Sequence, residues 1–401
     1  MTRFPVRPDY THSILNLSNS ILADFGIPPY HATLPVLDGI LAHGAYRHVV
    51  LLVCDAMGSM NLDELVPRNS FLLQHRKNSI SSVFPPTTTA ATTTLMSGLS
   101  PAQHGWLGWQ PFFPQLNDAV ELFPNNIPDR LTEASGGTHA RITHPDEHPP
   151  FSAGGTLLPY RSNIGRIAET ENVLTALYAP FLSEDNPNRV HEFRDITAAI
   201  LGMSAQENRT YTYAYWPEPD GTMHRTGVTS GETHSKVEII DRELSVLAHR
   251  LTEQEKVHRE YGKTLVIVTA DHGHIDNVGI DINEYTDILD MLTSVPSLEP
   301  RAVAFFVKSE YQKIFPAVFF SHFSQDDFLL LPKTEFLTGG LIGPVTQDIP
   351  QNALVGQMVG DFIAIATGNK SIFNSAENAA FHKGMHSGLS EKELSVPLIV
   401  F

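Results

Sequence analysis

The sequence predicts an α/β fold built on a mostly parallel sheet. Five short apolar runs without polar alternation predict strands buried on both faces, at residues 49–54, 173–178, 211–216, 265–268 and 302–307. Between the runs 211–216 and 265–268, apolar side chains recur at the three- and four-residue spacing of a helix face. They are Val237, Ile240, Leu244, Leu247 and Leu251. Strands that alternate with amphipathic helices are typical of a sheet covered by helices.

One segment breaks this alternation. Residues 300–369 combine an aromatic-rich run at 315–323 with glycines at positions 339, 340 and 343. We interpret it as an insertion or cap, partly β, after which the chain returns to the core near Phe381. The sequence therefore predicts one catalytic domain over residues 1–401, with an inserted cap or subdomain at about 300–380.

The charge balance limits the partners. The 401 residues carry 44 acidic and 27 basic side chains, a formal charge of −17, and no block of basic residues. Such a charge repels nucleic-acid backbones and anionic membranes, so we expect no nucleic acid duplex and no membrane among the partners. It would also repel a phosphate substrate, unless bound cations reverse the local field.

The single cysteine, Cys54, excludes an intrachain disulfide. Residues 1–10 contain no apolar signal core, and the longest apolar run is too short to span a bilayer. We therefore expect a cytoplasmic protein. For Cys54 we favour the role of a small buried apolar side chain.

Aspartate and histidine are concentrated in four places. Asp55 follows the first apolar run, and the other three are the segments 218–224 (Glu-Pro-Asp-Gly-Thr-Met-His), 269–274 (Thr-Ala-Asp-His-Gly-His) and 384–388 (Gly-Met-His-Ser-Gly). Carboxylate and imidazole groups together suit zinc and neighbouring divalent ions. In open α/β sheets, ligands bind beyond the carboxyl ends of the strands, where we expect Asp55 and Asp271 to lie.

A threonine-rich segment supplies a candidate nucleophile. Phe84-Pro85-Pro86 leads into three consecutive threonines at positions 87–89. A threonine hydroxyl is a weak nucleophile at neutral pH, and coordination to a metal would activate it. Taken singly, each feature has a simpler explanation, since threonine runs often start helices and an aspartate after a strand often caps one. Their combination in this order favours a dinuclear phosphoryl-transfer site.

This order of motifs resembles the type I phosphodiesterase and nucleotide pyrophosphatase family of the alkaline phosphatase superfamily. The resemblance rests on Asp after a strand, Phe-Pro-x-x-Thr, Glu-Pro-Asp-x-x-x-His, Asp-His-Gly and a late Gly-x-His, and it spans residues 49–401. Residues 95–105 also resemble the segment that follows the family's nucleophile. The resemblance implies an alkaline-phosphatase-like mixed sheet with helices on both faces.

The resemblance also implies the site. Thr88 would be the nucleophile that forms a phosphothreonine, with Thr87 and Thr89 as alternative registers. Two divalent metal ions would be bound, zinc by preference, with manganese or magnesium as alternatives. The implied ligands of one metal are Asp55, Thr88, Asp271 and His272, and those of the other are Asp220, His224 and His386.

The chain departs from the family pattern beside the nucleophile. The family follows its nucleophile with Phe-Pro-Asn, whose Asn binds a phosphate oxygen, whereas Thr88 is followed by Thr89-Ala90-Ala91. A backbone N–H or another side chain must then bind that oxygen. For His104 we expect a structural role in the turn before Gly105, and for His274 and His382 an outer or surface role. Glu218 is expected to orient a ligand.

Three functions compete at this point. The first is hydrolysis of a small-molecule phosphodiester or nucleotide pyrophosphate. The second is a phosphomonoesterase or phosphonate hydrolase on the same scaffold, which is disfavoured because no arginine lies near Thr88 in the sequence. The third is a non-catalytic metal-binding homologue, which is disfavoured because all seven implied ligand positions are occupied by suitable residues. The sequence predicts no particular oligomeric state.

Overall fold

The fold combines a central sheet, a second smaller sheet and flanking helices. The computed structural model describes residues 6–127, 129–133, 139–143 and 147–401. Residues 1–5 of the segment predicted to hold no signal core lie outside this description. Within it, no helix is both long enough and apolar enough to cross a bilayer.

The strands of the described residues are, in chain order, β1 (Tyr46–Cys54), β2 (Arg76–Ser81), β3 (Phe112–Phe113), β4 (Asp118–Ala119), β5 (Asp129–Glu133), β6 (His139–Thr143), β7 (Val173–Tyr178), β8 (Arg209–Trp216), β9 (Lys263–Thr269), β10 (Ile275–Asp276), β11 (Val278–Asp281), β12 (Ser297–Glu299), β13 (Ala302–Phe305), β14 (Phe328–Pro332), β15 (Phe362–Ala366), β16 (Lys370–Phe373), β17 (Gly384–Met385) and β18 (Ser395–Val400).

The helices are α1 (Ile14–Asp24), α2 (Pro35–Gly44), α3 (Ser59–Leu65), α4 (Phe71–His75), α5 (Thr88–Ser97), α6 (Pro101–His104), α7 (Ala153–Leu157), α8 (Asn163–Ala168), α9 (Phe193–Met203), α10 (Asp220–Thr226), α11 (Gly231–Val257), α12 (Thr286–Leu289), α13 (Phe315–His322), α14 (Lys333–Thr338), α15 (Val355–Met358), α16 (Ala376–Phe381) and α17 (Glu391–Leu394). Two 3-10 turns span Arg259–Tyr261 and Ile282–Glu284.

The central sheet has six strands in the order β2-β18-β9-β1-β8-β7. Strands β9, β1, β8 and β7 are parallel neighbours, and β18 runs antiparallel to both β9 and β2. All residues from Val49 to Cys54 are buried, and successive side chains of a strand point to opposite faces. Both faces of β1 are therefore covered, which confirms the predicted mixed, mostly parallel α/β sheet.

Four of the five predicted strands lie in this sheet, but the fifth does not. Residues 302–305 form β13, which belongs to a separate antiparallel sheet of order β12-β13-β15-β14. The placement of this run beside the parallel strands was wrong, because a short apolar run indicates burial on both faces but not the sheet to which it pairs. The amphipathic helix prediction is confirmed by α11, whose five predicted apolar residues are all buried.

The smaller sheet occupies the region predicted to be a cap. One face contributes to an apolar core shared with Phe84, Leu107 and Phe113, which come from outside it, and the other packs on the aromatic residues of α13. We propose that this region is an insertion fused to the single catalytic domain, since its core contains residues of both parts. Independent folding of residues 300–380 would contradict that proposal.

A buried ion pair joins the smaller sheet to the C-terminal segment. Arg301, in the turn between β12 and β13, donates from Nε to Glu393 Oε1 at 2.7 Å and from Nη2 to Oε2 at 3.0 Å, and neither side chain is exposed. Glu393 also accepts from the N–H of Gly388 at 2.7 Å. The pair therefore fixes the loop that follows His386.

Substituting Arg301 is expected to destabilise the fold strongly. The change Arg301→Ala leaves Glu393 as a buried charge without its partner, which typically costs about 3–5 kcal/mol. Arg161→Ala is the matched control, because its pair with Glu169 is exposed and worth about 0–1 kcal/mol. Urea unfolding measures both, and equal losses in the two variants would contradict a structural role for the buried pair.

Candidate active site

Three adjacent parallel strands bring three aspartates together. Asp55 directly follows β1, Asp271 comes two residues after β9, and Asp220 begins α10 after β8. Because β9, β1 and β8 are neighbours, their carboxyl ends meet at one edge of the sheet. The structure thus brings Asp55 and Asp271, which the sequence placed at strand ends, together with Asp220.

The first cluster consists of Asp55, Asp271 and His272, all buried. His272 Nε2 lies 3.3 Å from Asp55 Oδ1 and 3.5 Å from Asp271 Oδ2. Those two carboxylate oxygens are buried and have no hydrogen-bond partner, while the opposite oxygens are bonded by the Tyr215 hydroxyl and the Ala56 N–H. A divalent cation would satisfy the unpartnered oxygens, so the donor set fits a metal.

The second cluster consists of Asp220, His224, His274 and His386. Asp220 Oδ1 lies 3.3 Å from His224 Nε2 and 3.8 Å from His386 Nε2, yet it is buried without a hydrogen bond. Asp220 and His224 stand four residues apart on α10, so both face the same side of that helix. The rings of His272 and His386 stack at 3.7 Å, which places the two clusters side by side.

Backbone carbonyls fix the orientation of three histidines. His224 Nδ1 faces the carbonyl of Gly384 at 2.9 Å, His272 Nδ1 that of Gly273 at 3.0 Å, and His386 Nδ1 that of Pro86 at 3.0 Å. A donating Nδ1–H leaves the Nε2 lone pair free, and this tautomer is the one that ligates a metal through Nε2.

Electrostatics show how crowded the carboxylates are. Burial, reinforced by the charges of Asp271 and Asp220, raises the pKa of Asp55 well above its usual value. Burial also opposes ionisation of Asp220, but His224 beside it holds that pKa well below its usual value. Burial lowers the pKa of His274 to about 4, which keeps this imidazole neutral. The second cluster therefore contains an ionised carboxylate at Asp220 and a neutral imidazole at His274, which are the forms that bind a cation.

Thr88 lies beside the first cluster at the start of α5. Its hydroxyl is 3.4 Å from Asp55 Oδ2 and 3.3 Å from His272 Nε2, and its side chain is partly exposed. The neighbouring hydroxyls are placed differently: Thr87 donates to Glu299 Oε1 at 2.6 Å, and Thr89 is fully buried. Of the three registers, the structure brings Thr88 to the aspartates.

His274 differs from its sequence-based placement. The sequence placed His274 either outside the ligand set or at the surface, and the surface position is wrong because its side chain is fully buried. Its Nε2 lies 3.3 Å from Asp220 Oδ1. The ladder between β10 and β17 pairs Ile275 with Met385 and so brings His274 beside His386. The only local signal was its position two residues after His272, in the segment that leaves a buried strand.

The other polar residues singled out in the sequence lie further out. His104 is buried, faces the Thr94 hydroxyl at 3.0 Å and accepts from the N–H of Trp106, in agreement with a role in that turn. His382 contacts His224 edge-on, with ring centroids 5.1 Å apart. Glu218 accepts from the N–H of Thr222 and pairs with Lys236, so it stabilises α10 rather than contacting a predicted ligand directly.

A cleft of about 650 Å³ opens in front of Thr88 and the second cluster. Its far wall is formed by β12 of the smaller sheet and by Trp109 and Gln110. Gln110 exchanges two backbone hydrogen bonds with Leu298, and the Trp109 N–H donates to Glu299 Oε1. Gln110 Nε2 and Ser297 Oγ are buried in this wall without partners. Burial raises the pKa of Glu299 to about 7, against its bonds from Thr87 and Trp109. Sequence reasoning missed this wall, because its residues lack a local motif.

A family model describes nearly the same region. The model for type I phosphodiesterase / nucleotide pyrophosphatase matches residues 49–389, which include every residue of the two clusters and Thr88. The chain belongs to this family. Its members hydrolyse phosphodiesters and nucleotide pyrophosphates, so the chain is a phosphoric ester hydrolase, and the resemblance noted in the sequence is confirmed. The family is metal-dependent.

Solved structures share the fold of this phosphodiesterase family member. Murine ectonucleotide pyrophosphatase / phosphodiesterase 5, an inactive variant in complex with AMP, superposes with a TM-score of 0.61 at 17% identity and covers 87% of each chain. The same murine protein without that change gives 0.60 at 18% identity, again over 87% of each chain. The human protein gives 0.60 at 16% identity, over 88% of this chain and 87% of the other.

The buried Glu299 should make the stability of the enzyme depend on pH. Its pKa is about 7 in the folded chain and 4.5 in the unfolded chain, so its contribution is fully present below about pH 4.5 and is lost as pH rises to 7. Glu299→Gln removes this loss, so its stability relative to wild type should rise by up to about 3 kcal/mol from pH 4.5 to 7. Urea unfolding of the metal-free proteins across this range measures it.

The control for this measurement is Glu253→Gln, on the exposed part of α11. Its pH profile should follow that of wild type. If the profile of Glu299→Gln also stays parallel to wild type, then the carboxyl of residue 299 is ionised in the folded chain.

Proposed function

We propose that this enzyme hydrolyses small-molecule phosphodiesters or nucleotide pyrophosphates through a phosphothreonine formed on Thr88, with two divalent cations held by the two clusters. The observation that carries the proposal is the position of the Thr88 hydroxyl, within 3.4 Å of Asp55 and His272 and facing the cleft. A reactive hydroxyl, a cation-binding set and a substrate-sized cleft are thereby combined in one place.

The proposed ligands divide between the two clusters. Asp55, Asp271, His272 and the Thr88 oxygen would hold one cation, and Asp220, His224 and His386 would hold the other. Zinc, or manganese or magnesium in its place, would lower the pKa of the Thr88 hydroxyl and neutralise phosphate charge. The unpartnered oxygens of all three aspartates support this assignment, since each is buried and lacks a hydrogen bond.

Thr88 would act in two steps. Its oxygen attacks phosphorus in line with the departing oxygen while its proton leaves toward the aspartate side, where Asp55 Oδ2 already accepts it. The bond from phosphorus to the leaving oxygen breaks, the leaving group departs with the bonding electron pair and takes up a proton from solvent, and the phosphoryl group with its remaining ester is carried on Thr88. Water then cleaves the phosphothreonine and restores the hydroxyl.

The N-terminus of α5 offers a substitute for the family's asparagine. Thr87 is the N-cap residue of α5, yet its side chain makes no capping bond because it donates to Glu299 instead. The first N–H groups of a helix have no partner within the helix and favour anions. We propose that the N–H groups of Thr88 and Thr89 bind the phosphate oxygen that Asn binds in the family.

The cleft lining favours diesters over monoesters. Among its described lining residues there is no lysine or arginine, whereas Glu299 is in its wall. A monoester has one more charged oxygen than a diester and needs an additional cation to bind it. Binding of AMP by the murine relative supports a nucleotide as one substrate class. The cytoplasmic location remains a prediction from the sequence.

Removing the proposed nucleophile should abolish turnover. Thr88→Ala is expected to lower the hydrolysis of an aryl phosphodiester by at least about 1,000-fold, because the Thr88 hydroxyl contacts Asp55 and His272 and also faces the cleft. Metal content, measured on the same protein, should stay near wild type because three ligands of that cluster remain. Thr89→Val is the control, since the Thr89 hydroxyl is buried and unpartnered. Full activity of Thr88→Ala would overturn the assignment.

Removing metal should also abolish turnover. Dialysis against a chelator is expected to inactivate the enzyme, and zinc or manganese should restore activity toward an aryl phosphodiester more than toward the matched monoester. Asp220→Asn should lower metal content and activity together, because Asp220 contributes the only carboxylate of the second cluster. A chelated protein that retains full activity would contradict the proposed function.

A further inference from the structure

The second cluster contains a histidine that the proposed ligand set does not use. His274 is fully buried, and neither of its ring nitrogens has a hydrogen-bond partner in the described structure. Leaving a buried polar group unsatisfied typically costs about 1–3 kcal/mol. A buried imidazole without partners, beside a carboxylate oxygen without partners, indicates a shared ligand.

The ring nitrogens of this cluster converge on one oxygen. His274 Nε2 and His224 Nε2 each lie 3.3 Å from Asp220 Oδ1, and His386 Nε2 lies 3.8 Å from it. Four atoms each about 2.0–2.1 Å from a tetrahedral zinc would be separated by roughly 3.3–3.4 Å. The three separations from Asp220 Oδ1 lie at or near that value, and the ligand atoms of all four residues lie within 4.8 Å of one another.

The surrounding backbone holds His274 in this position. Asn61 binds its main chain twice, with Nδ2 donating to the His274 carbonyl and Oδ1 accepting from its N–H, both at 3.0 Å. Gly384 leaves room for the ring, since a Cβ there would come within 2.8 Å of His274 Nδ1. The carbonyl of Gly384 also faces His224 Nδ1, so this one residue contacts the imidazoles of both His224 and His274.

We propose that His274 is a fourth protein ligand of the metal held by Asp220, His224 and His386, and that this site is therefore selective for zinc over manganese and magnesium. Three imidazoles and one carboxylate suit zinc or cobalt, whereas the oxygen-rich set of Asp55, Asp271, His272 and Thr88 also suits the harder ions. The inference rests on the proposed metal dependence, but not on the role of Thr88.

Cobalt tests the ligand count without turnover. Metal-free wild-type protein given one equivalent of Co²⁺ should show the intense visible absorption of a four-coordinate site. In His274→Ala water would replace the imidazole, so this band should shift and weaken, and zinc should bind at that site on the order of 100-fold or more weakly, beyond the effect usual for outer partners. An unchanged cobalt spectrum together with unchanged zinc affinity would overturn the inference.

The matched control is His382→Ala. His382 lines the same cleft and contacts the ring of His224, but its Nδ1 is bound to the carbonyl of Asn378 and it does not belong to the converging set. It should keep the cobalt band. Equal losses in both variants would show that any histidine next to His224 matters, and would contradict a ligand role specific to His274.

Metal competition tests the selectivity. Wild-type protein dialysed with one equivalent of zinc and excess manganese should retain one zinc and one manganese per chain, whereas His274→Ala should lose most of its zinc. Should His274→Ala fail to fold, zinc X-ray absorption of the wild type with one equivalent counts the imidazoles directly. Three imidazoles bound to the zinc would support the proposal, and two would overturn it.

These outcomes are separable from those of the proposed function. A chain that binds zinc through three imidazoles but hydrolyses no phosphodiester would retain this inference and lose the function. A chain with turnover dependent on Thr88 and only two imidazoles on zinc would retain the function and lose this inference.

Discussion

Three carboxylates at adjacent strand ends are the constraint on which the site depends. Asp55 and Asp271 are buried, Asp220 stands beside them at the edge of the cleft, and like charges repel strongly where water is largely excluded. Each keeps one oxygen without a protein partner. Burial lowers the pKa of His274 and of His386, which favours the neutral form of both imidazoles beside these carboxylates. A bound cation would stabilise the fold as well as support chemistry.

The residues around this centre hold the donors rather than react. Tyr215 occupies one oxygen of Asp55, and main-chain N–H groups occupy one oxygen of Asp271. The histidines are tied down through Nδ1, so their free nitrogens face inward. Because Asp55, Asp271 and these three histidines are each fixed by a second contact, little reorganisation of them is needed when a cation or phosphate arrives.

Much of the central sheet was predictable from the sequence, because local patterns dictate it. A run such as 49–54 is apolar at consecutive positions, and only a strand covered on both faces explains both its length and its composition. Because the carboxyl ends of parallel strands meet at one edge of the sheet, the sequence also predicted that Asp55 and Asp271 lie at that edge. The positions of Asp220, His224 and His386 followed from the family resemblance, since nothing local distinguishes them from cap or surface residues.

The remaining features depend on contacts between distant parts of the chain. The pairing of β13 with β15, the buried Glu299 in the cleft wall and the burial of His274 are all set by partners far away in sequence. No periodicity records such pairings, because hydrophobic patterns specify which face is covered and not what covers it.

The ion pair of Arg301 and Glu393 has a mechanical consequence. One end belongs to the smaller sheet, which forms the far wall of the cleft, and the other holds the loop that carries His386. The wall and the metal-binding loop are thus connected by a buried ion pair that makes two hydrogen bonds. The wall cannot swing outward like an independent lid without pulling on an imidazole of the second cluster. Substrate therefore enters a cleft whose far wall keeps its position relative to the second cluster.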